Sequence, residues 1–386
     1  MAKQNVAVLD IGTSRISAII ADRGVNNTFD IHGFAEVNYS GFMDGEFLSP
    51  EELTDTIRGV LTSVSRSANC RINYLTIGVP AEFSVNAVRS IERAYPKRHK
   101  ITDRDIDELF HEADEFGAST THRVINRSPI YFCMDDNRRL IEPKGIVTTK
   151  ITAMLSFVLA DREFINLMNE IIKPLGIANV NYVSEPLSEA LYLLEPTERD
   201  SCAILVDTGY LSTSVSIVMG DGLVALRSFS LGDGHIVADL AEAFDLPFDV
   251  AESLKNKIVL SYQPEKGDYY EVDIDGELYK IDAIETNEIV GNRIAQIAKM
   301  VKKCLDDSKF QYPAYIPIQL TGGGICYLKG ARDMMQKLLQ QDVRIISPPV
   351  PQMDKPHASS ILGLLDMALK QCKLKTTFIL FRLFSK

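Results

Sequence analysis

Two stretches of the chain repeat the same order of apolar and polar positions. They read VLDIGTSRISAII over residues 8–20 and LVDTGYLSTSVSI over residues 205–217. Each has an apolar run, an aspartate, a turn that contains glycine and a second run rich in β-forming residues, which predicts two strands joined by a tight turn. Glycine lets the backbone approach a ligand closely, and successive N–H groups form an anion-binding nest. Each turn is therefore a candidate phosphate site, although an ordinary surface hairpin explains either copy alone equally well.

Around the first hairpin the pattern predicts a helix and another strand. The segment SPEEL carries Ser49 as an N-cap, Pro50 at the first helical position and Glu52 three residues after the cap, which favours a helix start. The segment YLTIGVP (74–80) is typical of a short buried strand. The first part of the chain is thus predicted to be a β-rich unit closed by a helix and a strand.

The second half repeats this order. A strand and a helix follow its hairpin, and IPIQLTGGGICYLKG (316–330) predicts a strand that enters a glycine turn and then a helix. Residues 81–160 predict a helix opened by Thr102 and Asp103 among short strands, and residues 249–305 predict two helices around a strand-rich patch. We interpret the chain as an α/β protein with an internal duplication, in which an insertion interrupts each copy of a β-rich domain.

Composition and charge limit the function classes. The chain has 386 residues, 46% of them hydrophobic and 24% charged, which is typical of a globular protein with two or three domains. The formal net charge of −11 argues against general nucleic-acid binding. The six cysteines lie far apart without a C-x-x-C pair, which favours reduced thiols in a cytosolic protein over a zinc site or a disulfide framework. No signal peptide and no run of about 18 apolar residues occurs, so we expect a soluble cytoplasmic protein.

Three separated segments supply groups that suit a nucleotide. In the first hairpin the hydroxyl and N–H groups of residues 12–14 suit phosphate oxygens, and Asp10 suits a hydrated Mg²⁺. The second hairpin offers Asp207 and Gly209, and the three glycines 322–324 permit close packing of a purine beside a helix N-terminus. The sequence has no P-loop, which excludes a Walker-type NTPase. A triple glycine alone is commonly a plain strand-to-helix turn, but the order of the three segments is more specific than any one of them.

These segments resemble the two phosphate loops and the adenosine loop of the actin/Hsp70/sugar-kinase superfamily. VAVLDIGTSRI, SEPLSEALYLL, AESLK and LTGGGICYLKG follow in the order found in the FtsA family, bacterial cell-division homologues of actin, and ITDRDIDELFHEA resembles that family's inserted subdomain. The resemblance covers nearly the whole chain. It implies an α/β fold of duplicated actin-like (ribonuclease H-like) domains with an inserted α+β subdomain. The implied units are a first domain IA in 1–82 and 161–200, an FtsA-type subdomain 1C in 83–160, a second domain IIA in 201–235 and 306–370, a subdomain IIB in 236–305, and a tail in 371–386.

The same resemblance implies a site for ATP and Mg²⁺. The residues expected to contact the nucleotide are Asp10, Gly12, Thr13, Ser14, Arg15, Asp207, Gly209, Gly232, Glu252, Lys255, Gly322, Gly323, Gly324 and Ile325. In the family the first turn holds phosphates, while Asp10 and Asp207 would bind Mg²⁺ through water. The glycines around residue 323 would bracket adenine. Glu252 and Lys255 would reach the ribose or the base, whereas their pattern alone also fits a solvated helix face.

The second turn departs from the family's D-I-G-G-G-T-T-D, because this chain has DTGYLSTS over residues 207–214. Tyr210 and Leu211 replace two glycines, and Ser214 replaces the closing aspartate. Bulky side chains oppose a positive φ and would crowd a γ-phosphate, so we expect a distorted turn. Downstream, GDGHIV (232–237) replaces the family's G-G-D-x-I-T. Hydrolysis depends on positioning, so it should suffer more than binding. We expect a nucleotide-binding structural protein with little or no ATPase activity, and complete loss of nucleotide binding is the alternative.

The C-terminal segment KLKTTFILFRLFSK (373–386) combines basic and aromatic residues. On a helix its basic residues share a narrow face and its apolar residues fill most of the rest. The resemblance favours a helix in the plane of a membrane, as at the end of FtsA proteins, over a final helix packed on the core. The linker before it is very short. The residues expected to contact anionic lipids of the inner leaflet are Phe378, Ile379, Leu380, Phe381, Arg382, Leu383, Phe384 and Lys386.

The resemblance as a whole implies an FtsA-type protein that polymerises with itself on the inner face of the cell membrane at the division site. It would tether the ring of FtsZ, a tubulin homologue, and recruit later division proteins. Two alternatives stay open. One is an active ATPase or sugar kinase of the superfamily, which the intact Asp10 favours, and the other is a PilM-type assembly adaptor, which would lack the basic aromatic tail.

Overall fold

A computed structural model describes residues 5–384 and, for residues 27, 118 and 373–384, describes the backbone alone. Within this range the strands are β1 (Val6–Ile11), β2 (Arg15–Arg23), β3 (Phe29–Asn38), β4 (Phe42–Met43), β5 (Glu46–Phe47), β6 (Tyr74–Val79), β7 (Ser84–Lys100), β8 (His122–Met134), β9 (Arg139–Leu140), β10 (Val147–Asp161), β11 (Asn179–Ser184), β12 (Ala203–Thr208), β13 (Thr213–Met219), β14 (Gly222–Phe229), β15 (Tyr269–Ile274), β16 (Glu277–Asp282), β17 (Ile318–Thr321) and β18 (Val343–Ile345). The α-helices are α1 (Pro50–Ser67), α2 (Asp103–Ala113), α3 (Arg162–Ile172), α4 (Glu185–Leu193), α5 (Pro196–Arg199), α6 (Asp233–Phe244), α7 (Phe248–Lys255), α8 (Ala283–Asp307), α9 (Ala331–Leu339) and α10 (Ser359–Phe384).

Two five-stranded sheets have the same topology. In the first half the strand order is β3-β2-β1-β6-β11, and in the second half it is β14-β13-β12-β17-β18. In both sheets the first three strands are antiparallel neighbours, and the remaining pairs are parallel. The duplication predicted from the repeated hairpin is therefore confirmed in the order and direction of the strands.

The two repeated segments form hairpins with matching turns. Four residues separate the last paired positions of each hairpin, 12–15 in the first turn and 209–212 in the second turn. In both turns the N–H of the opening glycine donates to the carbonyl of the closing residue, from Gly12 at 2.9 Å and from Gly209 at 2.8 Å. The backbone of the two copies is thus closed in the same way, although their side chains differ.

The helix that was predicted after the first hairpin begins where the sequence indicates. The hydroxyl of Ser49 accepts a hydrogen bond from the N–H of Glu52 at 3.2 Å, and Pro50 occupies the first helical position. The apolar face of α1 lies in the core of the first sheet and consists of Leu53, Ile57, Val60, Leu61 and Val64. The local cap and the spacing of apolar residues are sufficient to position this helix.

The insertion in the first half is a separate four-stranded sheet in the order β7-β10-β8-β9, with α2 packed against it. The prediction of short strands there is wrong, because β7, β8 and β10 have 17, 13 and 15 residues. Strand β7 continues through Pro96, which lies at a shift of register between two paired stretches. Proline has no N–H group to donate to a neighbouring strand. At a shift of register on an edge strand no such hydrogen bond is needed, so the proline does not end the strand.

Helix α10 runs from Ser359 to Phe384 without a break. The expected short linker between a helix at 361–369 and the tail is therefore absent in the described backbone. The first part of α10 packs on the first sheet and against α4, and Gly363 allows a close approach, since a Cβ there would lie 2.7 Å from the Cα of Glu189. Residues 378–384, predicted to contact lipid, lie at the C-terminal end of α10, where the backbone alone is described, and Lys386 lies outside the described residues.

Candidate functional site

A cavity of about 840 Å³ lies where the ends of the two hairpins face each other. This volume is in the range of small-molecule and cofactor sites. Twelve of the fourteen residues predicted to contact a nucleotide line it: Asp10, Gly12, Thr13, Ser14, Arg15, Asp207, Gly209, Glu252, Lys255, Gly322, Gly323 and Gly324. Segments that are far apart in the sequence are thus brought together around one space.

The other two predicted residues lie away from the cavity wall. Ile325 is fully buried in the hydrophobic core of the second half. Gly232 packs against the second turn, where a Cβ would lie 2.5 Å from the carbonyl oxygens of Gly209 and Tyr210. These two residues support the shape of the site rather than line it.

The first turn keeps backbone donors available for a ligand. Thr13 and Ser14 line the cavity, and among the described residues their N–H groups donate to no protein acceptor. The hydroxyl of Thr13 accepts a hydrogen bond from the N–H of Leu211 at 3.0 Å, which ties the two turns together. Adjacent free N–H groups in a turn form an anion site, so the first turn has the chemistry for phosphate oxygens.

The second turn differs in that its carbonyl groups accept hydrogen bonds from the start of a neighbouring helix. The N–H of Asp233 donates to the carbonyl of Gly209 at 3.1 Å, and the N–H of Gly234 donates to the carbonyl of Tyr210 at 2.7 Å. Asp233 and Gly234 are the first residues of α6. A helix N-terminus is an anion site only while its first N–H groups are free, so this one is closed by the second turn.

Tyr210 fills the space between the second turn and the helices beside it. Its ring packs on the backbone of Gly234, where a Cβ would lie 2.6 Å from the Cε1 atom, and its hydroxyl lies 3.4 Å from Oε2 of Glu252. Tyr210 and Leu211 are not among the described residues with a positive φ. The expectation of a distorted turn is therefore wrong: the turn keeps an ordinary backbone, and what has changed is the side chain that projects from it.

Lys255, which was expected to reach a ribose or base, is held by carboxylates of the protein. Its ammonium group forms ion pairs with Asp233 and with Oε1 of Glu252, the latter at 2.8 Å. Lys255 and Asp233 are only 6% and 4% exposed. The lysine therefore joins α7 to α6, and its ammonium group is already paired with carboxylates of the protein.

Two glutamates that sequence reasoning did not assign to the site lie beside the predicted aspartates. Glu185 and Glu189 are on α4, and their carboxylate oxygens and one of Asp207 all lie within 4.8 Å of one another. Burial is the main reason why the pKa of each of these three carboxyl groups is raised, and the neighbouring negative charges raise it further. Burial also raises the pKa of Asp10 to about 6. The spacing of two glutamates four residues apart in SEPLSEAL is the sequence signal that would have indicated this cluster.

At two of the three glycines 322–324 a side chain would clash with neighbouring atoms. Gly322 has a φ of +99°, and a Cβ there would lie 1.9 Å from Oδ1 of Asp207. At Gly324 a Cβ would lie 2.6 Å from the carbonyl oxygen of Thr208. Gly323 has more room, since its nearest neighbour would be Cβ of His357 at 3.4 Å. The glycine turn therefore closes on the end of β12 and leaves one open position toward the cavity.

Two further cavity residues that sequence reasoning missed lie next to this open position. The hydroxyl of Tyr327 and Nδ1 of His357 are 2.6 Å apart, and both side chains line the cavity near Gly323. Their rings supply flat surfaces on which a planar ligand can stack. No local motif marks them, because they are 30 residues apart and meet only in the fold.

The cavity wall carries many more acidic than basic side chains. Eight carboxylates but only two cationic side chains, Arg15 and Lys255, line it among the described residues. Arg15 pairs with Glu36 at 3.1 Å, and Lys255 pairs as given above. A polyphosphate would enter such a wall only together with a cation that offsets the repulsion.

Comparison with known proteins identifies relatives along nearly the whole chain. A family model for the cell division protein FtsA matches residues 204–363. The FtsA of Streptococcus pneumoniae serotype 2 (strain D39) is 21% identical over 365 residues, which cover 93% of this chain and 79% of that protein. This chain is therefore similar to FtsA proteins over most of its length. The FtsA of Bacillus subtilis (strain 168) is 20% identical over 389 residues, which cover 97% of the FtsA-like chain and 86% of that protein.

Solved structures show that this FtsA-like protein has an actin-like fold. The PilM-PilN type IV pilus biogenesis complex matches with a TM-score of 0.63 at 16% identity, covering 95% of this chain and 99% of that chain. MreB5 of Spiroplasma citri bound to AMPPNP matches with a TM-score of 0.57 at 14% identity, covering 97% and 98%. The predicted fold, a duplicated actin-like architecture, is thus confirmed. Among the described residues, none of the helices combines the length and apolarity needed to span a bilayer.

Proposed function

We propose that this FtsA-like protein is an actin-like scaffold of cell division that binds ATP with Mg²⁺ and hydrolyses it slowly or not at all. The observation that carries the proposal is the difference between the two turns. Among the described residues the N–H groups of Thr13 and Ser14, which line the cavity, donate to no protein acceptor, whereas the N–H groups of Asp233 and Gly234 at the start of α6 donate to the second turn. The first turn thus keeps two adjacent backbone donors available, whereas the first N–H groups of α6 are not available to a ligand.

The residues fit this ligand in part. The first turn would hold phosphate oxygens, and the flat surfaces near Gly323 would face the base. Asp10 and Asp207, which line the cavity near the ends of the two hairpins, are suited to hold a hydrated hard cation beside the phosphates. Bound Mg²⁺ would neutralise phosphate charge. That MreB5 is found bound to AMPPNP and to ADP supports a nucleotide in a cavity of this fold.

Slow hydrolysis follows from the second turn. Phosphoryl transfer is catalysed by positioning and by donors directed at the developing charge. Here those donors are turned inward, and the ring of Tyr210 occupies the space beside them. The chain would therefore retain binding energy for ATP but lack groups that stabilise the transition state.

The cellular role that we propose follows from the relatives and from the tail. Related proteins are named cell division protein FtsA, and we infer that this chain tethers an FtsZ-type polymer to the cytoplasmic membrane and recruits later division proteins. The basic and aromatic composition of residues 373–386 supports membrane contact. The MamK double helical filament, which matches with a TM-score of 0.50, 14% identity and coverage of 96% and 99%, supports self-assembly of this fold.

The test is ATP affinity with Mg²⁺, followed on the same sample by phosphate release. We expect measurable binding, with release far below about 1 s⁻¹, the lower end of ordinary enzymatic turnover. Tyr210→Gly should tighten ATP binding more than ADP binding because it opens space beside the phosphates, whereas Tyr210→Phe keeps the ring and should behave like wild type. Turnover at an ordinary rate would refute the scaffold reading in favour of an ATPase or kinase. Absence of ATP binding would remove the nucleotide from the proposal.

A PilM-type assembly adaptor is the second candidate, because the PilM-PilN complex has the same fold. The two candidates differ in the tail. Deleting residues 376–386 should abolish binding to liposomes that contain anionic lipids if the chain is a membrane tether. A full-length protein that does not bind these liposomes would favour the adaptor.

A further inference from the structure

Helix α4 carries two glutamates that lie next to each other in the cavity wall. Glu185 and Glu189 are four residues apart and therefore lie on the same side of the helix. They are 9% and 1% exposed, and both line the cavity. Asp207, at the end of β12, completes a trio whose carboxylate oxygens lie within 4.8 Å of one another.

Within the part of the chain whose side chains are described, no cationic group pairs with the trio. One carboxylate oxygen of each glutamate, Oε1, is buried and has no hydrogen-bond partner among the described residues. The two cationic side chains of the cavity wall are engaged elsewhere, Arg15 with Glu36 and Lys255 with its own carboxylates. Buried carboxylates without a partner are costly unless they are protonated or bind a cation.

The geometry of the trio suits a metal ion. Oxygen ligands bind hard divalent cations at about 2.0 to 2.6 Å, so two ligands of one ion can be up to about 5 Å apart. The observed limit of 4.8 Å falls within this span. The backbone that carries the trio is held firmly, because α10 packs on α4 at Glu189 and Gly322 packs on Asp207. A site with fixed ligands needs little reorganisation to bind an ion.

We propose that Glu185, Glu189 and Asp207 bind one hard divalent cation directly and without a nucleotide. This differs from the Mg²⁺ that the family resemblance places at Asp10 and Asp207 through water, because Glu189 is a ligand and the ion needs no phosphate. The ion joins a helix of the first half to a strand of the second half. It therefore stabilises the arrangement of the two halves around the cavity even when the cavity is empty.

The test uses the full chain stripped of nucleotide and titrated with Mn²⁺, followed by electron paramagnetic resonance. We expect one bound Mn²⁺ per chain and a rise in Tm on binding. Glu189→Gln keeps the size of the side chain and should weaken Mn²⁺ at least about tenfold, because even partners outside the ligand set change metal affinity by that much. The matched control is Glu82→Gln, which removes another cavity carboxylate outside the trio and should change the affinity much less.

The Tm of the metal-free protein is a second measurement, and it tests the proposal even if a variant folds poorly. Glu189→Gln removes a buried carboxylate without a partner, so it should raise the Tm of the metal-free protein while it removes most of the rise caused by Mn²⁺. Glu185→Gln should act in the same way. No Mn²⁺ binding at millimolar concentration, or an equal loss in Glu82→Gln, would overturn the inference. Binding only when ATP is present would also overturn it, while leaving the proposed nucleotide function intact.

Discussion

The buried carboxylates predict an unusual dependence of stability on pH. Burial, with a smaller contribution from Glu36, raises the pKa of Asp10 from its ordinary 3.8 to about 6 in the folded protein. Between these values the folded chain holds a proton that the unfolded chain has lost. The free energy of unfolding of the metal-free and nucleotide-free protein must therefore fall as the pH rises through this window.

The size of the effect follows from the two pKa values of Asp10. A rise from 3.8 to about 6, at 1.36 kcal/mol for each pH unit, corresponds to about 3 kcal/mol. This is an upper bound, because Asp10 lines the cavity and solvent screens part of the charge. Glu185, Glu189 and Asp207 have pKa values that are raised in the same direction, so they add to the fall rather than offset it.

Urea denaturation at several pH values between 4 and 7, with a chelator present, would measure this dependence. Asp10→Asn cannot titrate at this position, so the difference in unfolding free energy between variant and wild type should grow with pH in favour of the variant. The control is Asp55→Asn, in an exposed pair on α1, which should follow the wild-type profile. A difference between Asp10→Asn and wild type that stays constant over the whole range would refute the argument.

Two further substitutions test the packing around the cavity. Lys255→Met leaves Asp233 buried without its partner and should lower the free energy of unfolding by about 3 kcal/mol. Adding Asp233→Asn to this variant should restore part of the loss. Strictly additive losses of the two substitutions in denaturation experiments would contradict the pairing. Gly363→Ala should cost about 2 kcal/mol, because its Cβ would meet the backbone of Glu189. The control Gly59→Ala, in α1 with open space around it, should instead stabilise the protein by up to about 1 kcal/mol.

The sequence predicted best those features that local residues determine. The cap at Ser49 and the two hairpins are formed by neighbours in the chain, and their signals are complete within a few positions. The long strands of the inserted sheet were underestimated, because whether Pro96 interrupts a strand depends on its place at an edge and at a shift of register. Whether a strand lies at the edge or in the centre depends on the whole sheet, and the sequence of the strand alone does not show it.

The candidate site shows the same difference between features that local residues determine and features that depend on the whole fold. The sequence identified Gly322 as important, but its reason is a contact with Asp207, more than a hundred residues earlier. It identified Tyr210 as a departure from the family, but a residue type does not give a φ angle, and the turn proved to be undistorted. Glu189 was missed although its spacing from Glu185 was visible, because nothing local shows that this side of α4 faces a cavity.

The difference between the two turns also bears on how a nucleotide could act on the fold. A ligand shifts an equilibrium between two arrangements only by as much as its affinity for them differs. Here a phosphate would gain hydrogen bonds from the first turn, whereas the N–H groups of Asp233 and Gly234 at the start of α6 already donate to the second turn and would not be recruited by closure around the ligand. ATP and ADP are therefore expected to differ little in the arrangement of the second half that they favour. On this argument the nucleotide would serve the proposed scaffold as a fixed structural ligand, and the proposed cation at Glu185, Glu189 and Asp207 would do more than the terminal phosphate to join the two halves.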